Sequence, residues 1–270
     1  MMRPVEIVSI GDELLRGITQ ETNAHWIAKR IAARGADLRR VTLVPDEPET
    51  VAGVVREALA REPALLVTHG GLGPTDDDRT REALSLALDR PCERNADAHA
   101  IVERRYAELH GQGAVGSSEL GEARMRMAML PAGARALDNQ VGTAPGIVLT
   151  ERNSTIVALP GVPSELYWIW EHPLAPLLDA VLGPGGYAEE TFETDLLDES
   201  AIAAVLRMVQ VRHAAVYVKS RASGFAEGEE VRITLHARGS NDDEARTAVR
   251  AAASDLRAAM RADGVVVRGP

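Results

Sequence analysis

Three short apolar runs, Val5–Ile10, Leu38–Val44 and Ala64–Thr68, each stop just before a Gly- or Pro-containing turn and are separated by stretches with helical spacing. The first stretch carries Trp26, Ile27 and Ile31 on one stripe, with Thr22 or Asn23 available as a cap and Gly35 as a stop. The second opens at Pro48 and carries Val51, Val54, Val55 and Leu59. A third helix is expected from about Thr80 through Leu84 and Leu88. Strand, helix, strand, helix, strand, loop, helix predicts an α/β fold: a mostly parallel sheet in three layers, with helices on both faces. Ligands of such sheets sit outside the carboxyl ends of the strands. The loops after Ile10, Val44 and Thr68 then share one rim, which makes Asp12, Asp46 and the Gly70 loop neighbours.

Residues 91–130 read as helical and polar, with Tyr106 and Leu109 on one face and Met125, Met127 and Met129 as core or gap fillers. Strands are expected at Ile147–Leu149 and Ile156–Leu159, and a helix from Pro163 through Trp168, Trp170 and Leu174. Gly183-Pro184-Gly185-Gly186 is the clearest linker and divides a domain over 1–182 from a small α+β domain over 187–270. In the second, Thr191–Leu196 is extended, Glu199–Val209 helical, and Val216–Lys219 and Val231–Leu235 strands. A last helix spaces Ala245, Val249, Ala252, Leu256 and Met260. The Gly- and Glu-rich stretch Ser223–Glu230 reads as a mobile hairpin.

The 270 residues carry a formal charge of −10, whereas proteins that bind long nucleic acids by neutralising phosphates present basic surfaces. A small ligand is the better expectation, with a divalent cation between acidic protein and phosphate. Cys92 is the only cysteine, which excludes an internal disulfide. No run reaches the length of a membrane span, and Met1–Ile10 lacks the apolar core of a signal peptide. A cytoplasmic globular protein is expected.

The segment from Thr68 to Thr80, reading THGGLGPTDDDRT, holds the densest chemistry. Its glycines permit left-handed backbone and close approach, so that successive N–H groups can face one anion, and the following helix start adds its dipole. Three aspartates beside such an anion make sense with a cation between them. The competing account is a tight strand-to-helix turn with Asp78 as a helix cap. Asp12 and Glu13, after the first strand, can bind metal or orient a ligand hydroxyl; they are equally compatible with a short capped helix. Asp46 is ambiguous in the same way. The Gly- and Pro-dense loops Asn139–Gly146 and Leu159–Glu165 hold fixed backbone shapes and are open to a purely structural reading.

Together these segments form an ordered pattern. Val8-Ser9-Ile10-Gly11-Asp12-Glu13-Leu14-Leu15 with Gly17 and Asn23, then Pro45-Asp46, then Gly70-Gly71-Leu72-Gly73-Pro74-Thr75 with Asp77, Asp78 and Thr80, then Gly142-Thr143-Ala144-Pro145-Gly146 and Leu159-Pro160-Gly161-Val162-Pro163 with Glu165, strongly resemble the N-terminal region of the CinA family, competence/damage-inducible protein A. That fold is shared with the molybdopterin-binding MogA and MoaB proteins. The resemblance covers about Val5 to Leu178 and, more loosely, the small domain, which resembles the family's KH-like domain.

The resemblance implies an ADP-ribose pyrophosphatase that uses a divalent metal (Mg, Mn or Co) and yields AMP and ribose 5-phosphate. Under it, His69, Gly70, Gly71, Gly73, Thr75, Asn23, Gly142, Thr143, Pro160, Gly161 and Glu165 bind the nucleotide diphosphate, and Asp12, Asp77 and Asp78 hold metal. Asp46, Asp78 and Glu13 are the expected catalytic carboxylates, with Asp46 or Glu13 orienting or deprotonating the in-line water that pyrophosphate cleavage needs. In the MogA-like relatives the aspartates matching Asp46 and Asp78 are the functional ones. A homodimer is implied too.

Three departures matter. The family usually has Thr where this chain has His69; a neutral His donates to phosphate, and His69→Thr is expected to preserve activity. Many members carry a C-terminal nicotinamide mononucleotide deamidase domain, and this sequence reaches Pro270 without one, so that activity is not expected. The small domain lacks a Gly-x-x-Gly clamp and holds more acidic than basic residues, which favours a scaffold or dimerisation role over RNA binding. Two alternatives accompany the hydrolase reading: adenylyl transfer to molybdopterin, and a nucleotide- or pterin-binding module without turnover.

Overall fold

A computed structural model describes residues 3–196, 198–222 and 231–269. The Ser223–Glu230 hairpin expectation therefore lies outside the described residues. The chain forms two compact units: the first runs through Ile31 and resumes over Asp37–Gly183, and the second comprises Ala32–Ala36 and the chain from Pro184 onward.

In the first unit, β1 (Pro4–Ile10), α1 (Asp12–Leu15), α2 (Asn23–Ala33), β2 (Asp37–Val44), α3 (Pro48–Ala60), β3 (Leu65–His69) and α4 (Thr80–Leu88) follow the expected alternation. After them come β4 (Cys92–Arg94), α5 (Ala96–Gly111), α6 (Glu122–Arg126), β5 (Met129–Pro131), β6 (Arg135–Leu137), β7 (Gly146–Glu151), β8 (Ser154–Leu159), α7 (Pro163–Glu171) and α8 (Ala175–Leu182). The main sheet has six strands in the order β2-β1-β3-β8-β7-β6. Its first four are mutually parallel, while β7 and β6 run antiparallel to their neighbours. All five residues of β3 are buried, as a central parallel strand covered on both faces requires. On one face Val8, Ile10, Leu66, Ile156 and Ala158 pack with Val51 and Val55 of α3, Ala83 and Leu84 of α4 and Val102 of α5. Alternation sends Ile7, Ser9, Val67 and His69 to the other face.

Residues 91–130 are not one helical stretch. Cys92–Arg94 pairs antiparallel with Met129–Pro131, and α5 begins only after Asn95, whose side chain caps it by accepting from the Ala98 N–H at 3.0 Å. Met127 is fully buried in the core. The helix from Pro163 stops at Glu171 because Pro173 disfavours helical backbone at His172 and has no N–H to donate.

The second unit contains β9 (Gly186–Thr194), a single 3-10 turn over Glu199–Ile202, α9 (Ala203–Arg212), β10 (Val216–Ala222), β11 (Val231–Gly239), α10 (Asp242–Ala262) and β12 (Val267–Arg268). Its antiparallel sheet runs β10-β11-β9-β12, and the last linker glycine, Gly186, already belongs to β9. Val231, Ile233, Leu235 and Ala237 alternate inward against Val249, Ala252, Leu256 and Met260 of α10. Asn241 caps α10 by accepting from the Glu244 N–H, and the Glu244 carboxylate accepts from the N–H of Ser240 just before the cap. Among the described residues no helix is long and apolar enough to cross a membrane.

Candidate functional site

Strand register builds the rim. Ile10 lies beside Val44, Ser9 beside His69, and His69 beside Leu159, so four parallel strands end at one edge. Because β7 runs antiparallel to β8, with Ile147 opposite Ala158, the loop before β7 reaches the same edge. A cavity of about 510 Å³ opens there, lined among others by Glu13, Asp46, Gly70–Gly73, Asp77, Asp78, Thr143, Pro160, Gly161 and Glu165. Eleven of the residues singled out from the sequence therefore share one cavity: Glu13, Asp46, Gly70, Gly71, Gly73, Asp77, Asp78, Thr143, Pro160, Gly161 and Glu165.

Two glycines are there for conformational reasons. Gly70 and Gly71 have φ of +99° and +63°, and a Cβ on Gly70 would sit 2.1 Å from the Ile10 carbonyl oxygen. Among the described residues, the N–H groups of Gly71, Leu72 and Gly73 have no acceptor, whereas the Gly70 N–H donates to Leu159 O at 3.1 Å. Asp78 shapes the end of this loop: its Oδ2 accepts from the Thr75 N–H at 2.9 Å and from Thr75 Oγ1 at 2.5 Å.

The same cavity is acidic: Glu13, Asp46, Asp77, Asp78 and Glu165 line it. Asp46 is half-buried and accepts from the Asp12 N–H at 2.9 Å. Burial, followed by the charges of Glu13, Asp12 and Asp77, raises its pKa above the ordinary carboxylate value, against the lowering effect of the Asp12 N–H. Burial also raises Glu165, opposed by the Asn139 amide, which donates to it at 2.6 Å, and by the charge of Arg105.

Five residues expected at the ligand lie elsewhere. His69 is buried on the face opposite the α3–α5 core; its Nε2 is 2.8 Å from Ser9 Oγ and 3.4 Å from Glu21 Oε2, so it supports the floor of the rim and does not line the cavity. Thr75 spends its hydroxyl on Asp78. Asn23 is buried and donates to the Gly161 carbonyl at 2.8 Å. Gly142 makes room for Glu165, since a Cβ there would lie 1.9 Å from its carboxylate. Asp12 turns its carboxylate outward to Arg16 at 2.6 Å and contributes its backbone instead.

Other residues hold the rim loops without having been expected as ligand, metal or catalytic groups, Thr80 being known only from the helix start and the family pattern. Thr80 Oγ1 donates to Gly70 O at 2.7 Å and its N–H to Gly71 O at 3.1 Å. Buried Arg81 donates to Leu72 O at 2.6 Å and Gly73 O at 2.8 Å. Arg105 donates to Gly142 O at 2.8 Å, and Asn139 donates to Ala144 O at 2.8 Å while accepting from the Gly142 N–H at 2.9 Å. Arg81 falls on the same helical stripe as Leu84 and Leu88, which is the sequence signal that it is buried.

The carboxylates are oxygen donors of the kind hard divalent cations take. Among the described residues no three acidic, His or Cys side chains converge on one ligating point. A cation held here would need oxygens from outside these side chains to complete its shell, as Mg²⁺ commonly does.

The first unit is thus an α/β domain with a mostly parallel sheet and a glycine loop and carboxylates on its carboxyl rim. More particularly, the chain belongs to the family described as probable molybdopterin binding domain, whose model matches residues 6–180. A relative from Aeropyrum pernix is 40% identical over 241 residues, 89% of this chain and 87% of its own length. One from Metallosphaera sedula is 37% identical over 264 residues, 97% of this chain and 96% of its own, so the similarity runs through both units. The crystal structure of the protein CinA, of unknown function, from Thermoplasma acidophilum superposes with a TM-score of 0.58 at 30% identity, covering 67% of this chain and 99% of that one.

Proposed function

We propose that the rim cavity binds a phosphate-bearing pterin of the molybdopterin type or a nucleotide of similar shape, with the phosphate on the Gly71–Gly73 amides. The observation that carries this reading is three consecutive unpaired N–H groups on residues that line one cavity together with Glu13, Asp46, Asp77, Asp78 and Glu165. Three N–H groups match the acceptors of one phosphoryl group, and carboxylates in the same cavity can accept from the amino and ring N–H groups of a pterin or purine edge. Family membership supports the pterin.

The gathering of Glu13, Asp46, Asp77 and Asp78 around one cavity favours a second reading, metal-dependent cleavage of ADP-ribose or a related nucleotide diphosphate to AMP and ribose 5-phosphate. Asp46, Asp77 and Asp78 would hold a divalent cation (Mg, Mn or Co), which supplies charge neutralisation on the phosphates. The glycine amides would hold one phosphate, and Glu13 beside Asp46 would orient the attacking water and take its proton. Adenylyl transfer to molybdopterin is the corresponding reaction for the pterin ligand. In solution the protein is expected to be a homodimer, which light scattering checks.

Chromatography of the protein with ADP-ribose, with and without each metal, and with ATP plus molybdopterin, separates these readings. Metal-dependent AMP from ADP-ribose selects hydrolysis, and an adenylylated pterin selects transfer. Saturable pterin binding with no product leaves a binding module. No binding of either ligand class overturns the proposal. Gly71→Val, whose Cβ would lie 2.5 Å from Thr80 Oγ1, is expected to abolish binding.

A further inference from the structure

The glycine loop is held entirely from behind. Thr80 Oγ1 and N–H take the carbonyls of Gly70 and Gly71, and the Arg81 guanidinium takes those of Leu72 and Gly73. A peptide unit is planar and trans, so the carbonyl of one residue and the N–H of the next point in opposite directions. Fixing the carbonyls of Gly70, Gly71 and Leu72 therefore fixes the N–H groups of Gly71, Leu72 and Gly73 on the opposite side of the loop. The fourth carbonyl, Gly73, precedes Pro74, which has no N–H to aim. The three amides fixed in this way are the three without an acceptor.

We propose that Arg81 is the positioning residue of the anion site: a buried guanidinium that aims the Gly73 amide, braces the far end of the loop and places a positive charge behind the peptide planes that face the phosphate. Its hydrogen bonds go to backbone, the third being to Asp78 O at 3.3 Å, so the charge is not consumed in a carboxylate pair at hydrogen-bonding distance. With only 6% of its surface exposed, it does not touch the ligand and acts through the loop. A fork with two parallel donors suits two adjacent carbonyls; a lysine presents a point charge and cannot reproduce it. The charge also sets the ligand class, because a cation behind three aligned amides favours a phosphate or phosphate ester over a neutral carbonyl or hydroxyl.

This inference rests on the anion reading of the loop, and one experiment separates their failures. The amide proton and nitrogen resonances of Gly71, Leu72 and Gly73 are followed while wild type, Arg81→Met and Arg81→Lys are titrated with inorganic phosphate, alongside thermal melts. In wild type the three amide protons move downfield and saturate. In Arg81→Met the affinity read from these shifts falls at least about tenfold, as expected for losing charge-assisted bonds, while the amides of distant elements keep their positions. Arg81→Lys recovers only part of the loss, and it decides the matter if Arg81→Met does not fold. Wild-type amides that do not respond to phosphate overturn the anion reading and this inference together. Wild-type amides that respond, with variant affinities within twofold of wild type, overturn the role of Arg81 alone.

Discussion

The two edges of the first unit's sheet both carry a cavity, and they differ in what the backbone does around it. At the carboxyl edge one wall is the Gly70–Gly73 loop, whose carbonyls are tied from behind and whose Gly71, Leu72 and Gly73 amides are unpaired. At the amino edge a cavity of about 360 Å³ is lined by Arg56, Leu59, Glu62, Asp89, Glu151 and Arg152 among others. All three non-glycine residues with positive φ among the described residues, Glu62, Asp89 and Arg152, lie at this second cavity. They have a local explanation: Glu62 and Asp89 end α3 and α4, and Arg152 turns the β7–β8 hairpin. Left-handed backbone by itself therefore does not mark a site. What distinguishes the carboxyl edge is left-handed backbone at glycines combined with unpaired amides.

The comparison breaks most easily at Gly70. Gly70→Ala drives a Cβ into the Ile10 carbonyl and is expected to cost about 3 kcal/mol or more, read from denaturant unfolding. A loss below about 1 kcal/mol would mean that the rim is no more constrained than the opposite edge. Next comes Asp78→Asn, which keeps the acceptor for Thr75 and removes the charge. If the hydrolase reading holds, turnover falls at least about 100-fold while metal-free ligand binding changes much less. Unchanged turnover would remove Asp78 from the chemistry.

His69 gives a smaller, pH-dependent effect. Burial lowers its pKa and outweighs the opposing charge of Glu21. With the native pKa below the unfolded value of about 6.5, the unfolded chain takes up the proton first, so stability is fully present above that pH and falls as the pH drops. His69→Thr is expected to flatten that decline between about pH 6.5 and 5 in thermal melts and to preserve function. An identical pH profile would contradict this. The smallest effect belongs to the amino edge: Arg152→Gly relieves the left-handed residue, stabilises by up to about 1 kcal/mol and leaves ligand affinity unchanged. A change in affinity there would give the second cavity a functional role.

The rim was readable because its loops directly follow apolar runs, so the strand ends and their Gly and Asp residues could be located together. Thr143 and Glu165 were found through pattern; the reason that the loop at Thr143 reaches the rim is the antiparallel turn between β7 and β8, which short apolar runs do not encode. His69 was misplaced because adjacency to Gly70 suggests ligand contact, whereas two-residue alternation turns it beneath the sheet beside Ser9. Asn23, Gly142 and Thr75, expected as ligand contacts, instead shape or fasten the rim loops. Arg81, Arg105 and Asn139 were passed over because cationic and amide side chains on helices and loops usually face water, and their carbonyl partners are set by loop geometry.

The central claim, that the glycine amides hold the phosphate of a bound small molecule, is tested most directly by calorimetric titration with matched ligands. A phosphate-bearing pterin and ADP-ribose are each compared with a phosphate-free counterpart, the dephosphorylated pterin and adenosine. The account predicts that at least one phosphate-bearing ligand binds and that removing its phosphate weakens binding by about 100-fold or more, the equivalent of about two lost charge-assisted hydrogen bonds. Equal affinities with and without phosphate would contradict it.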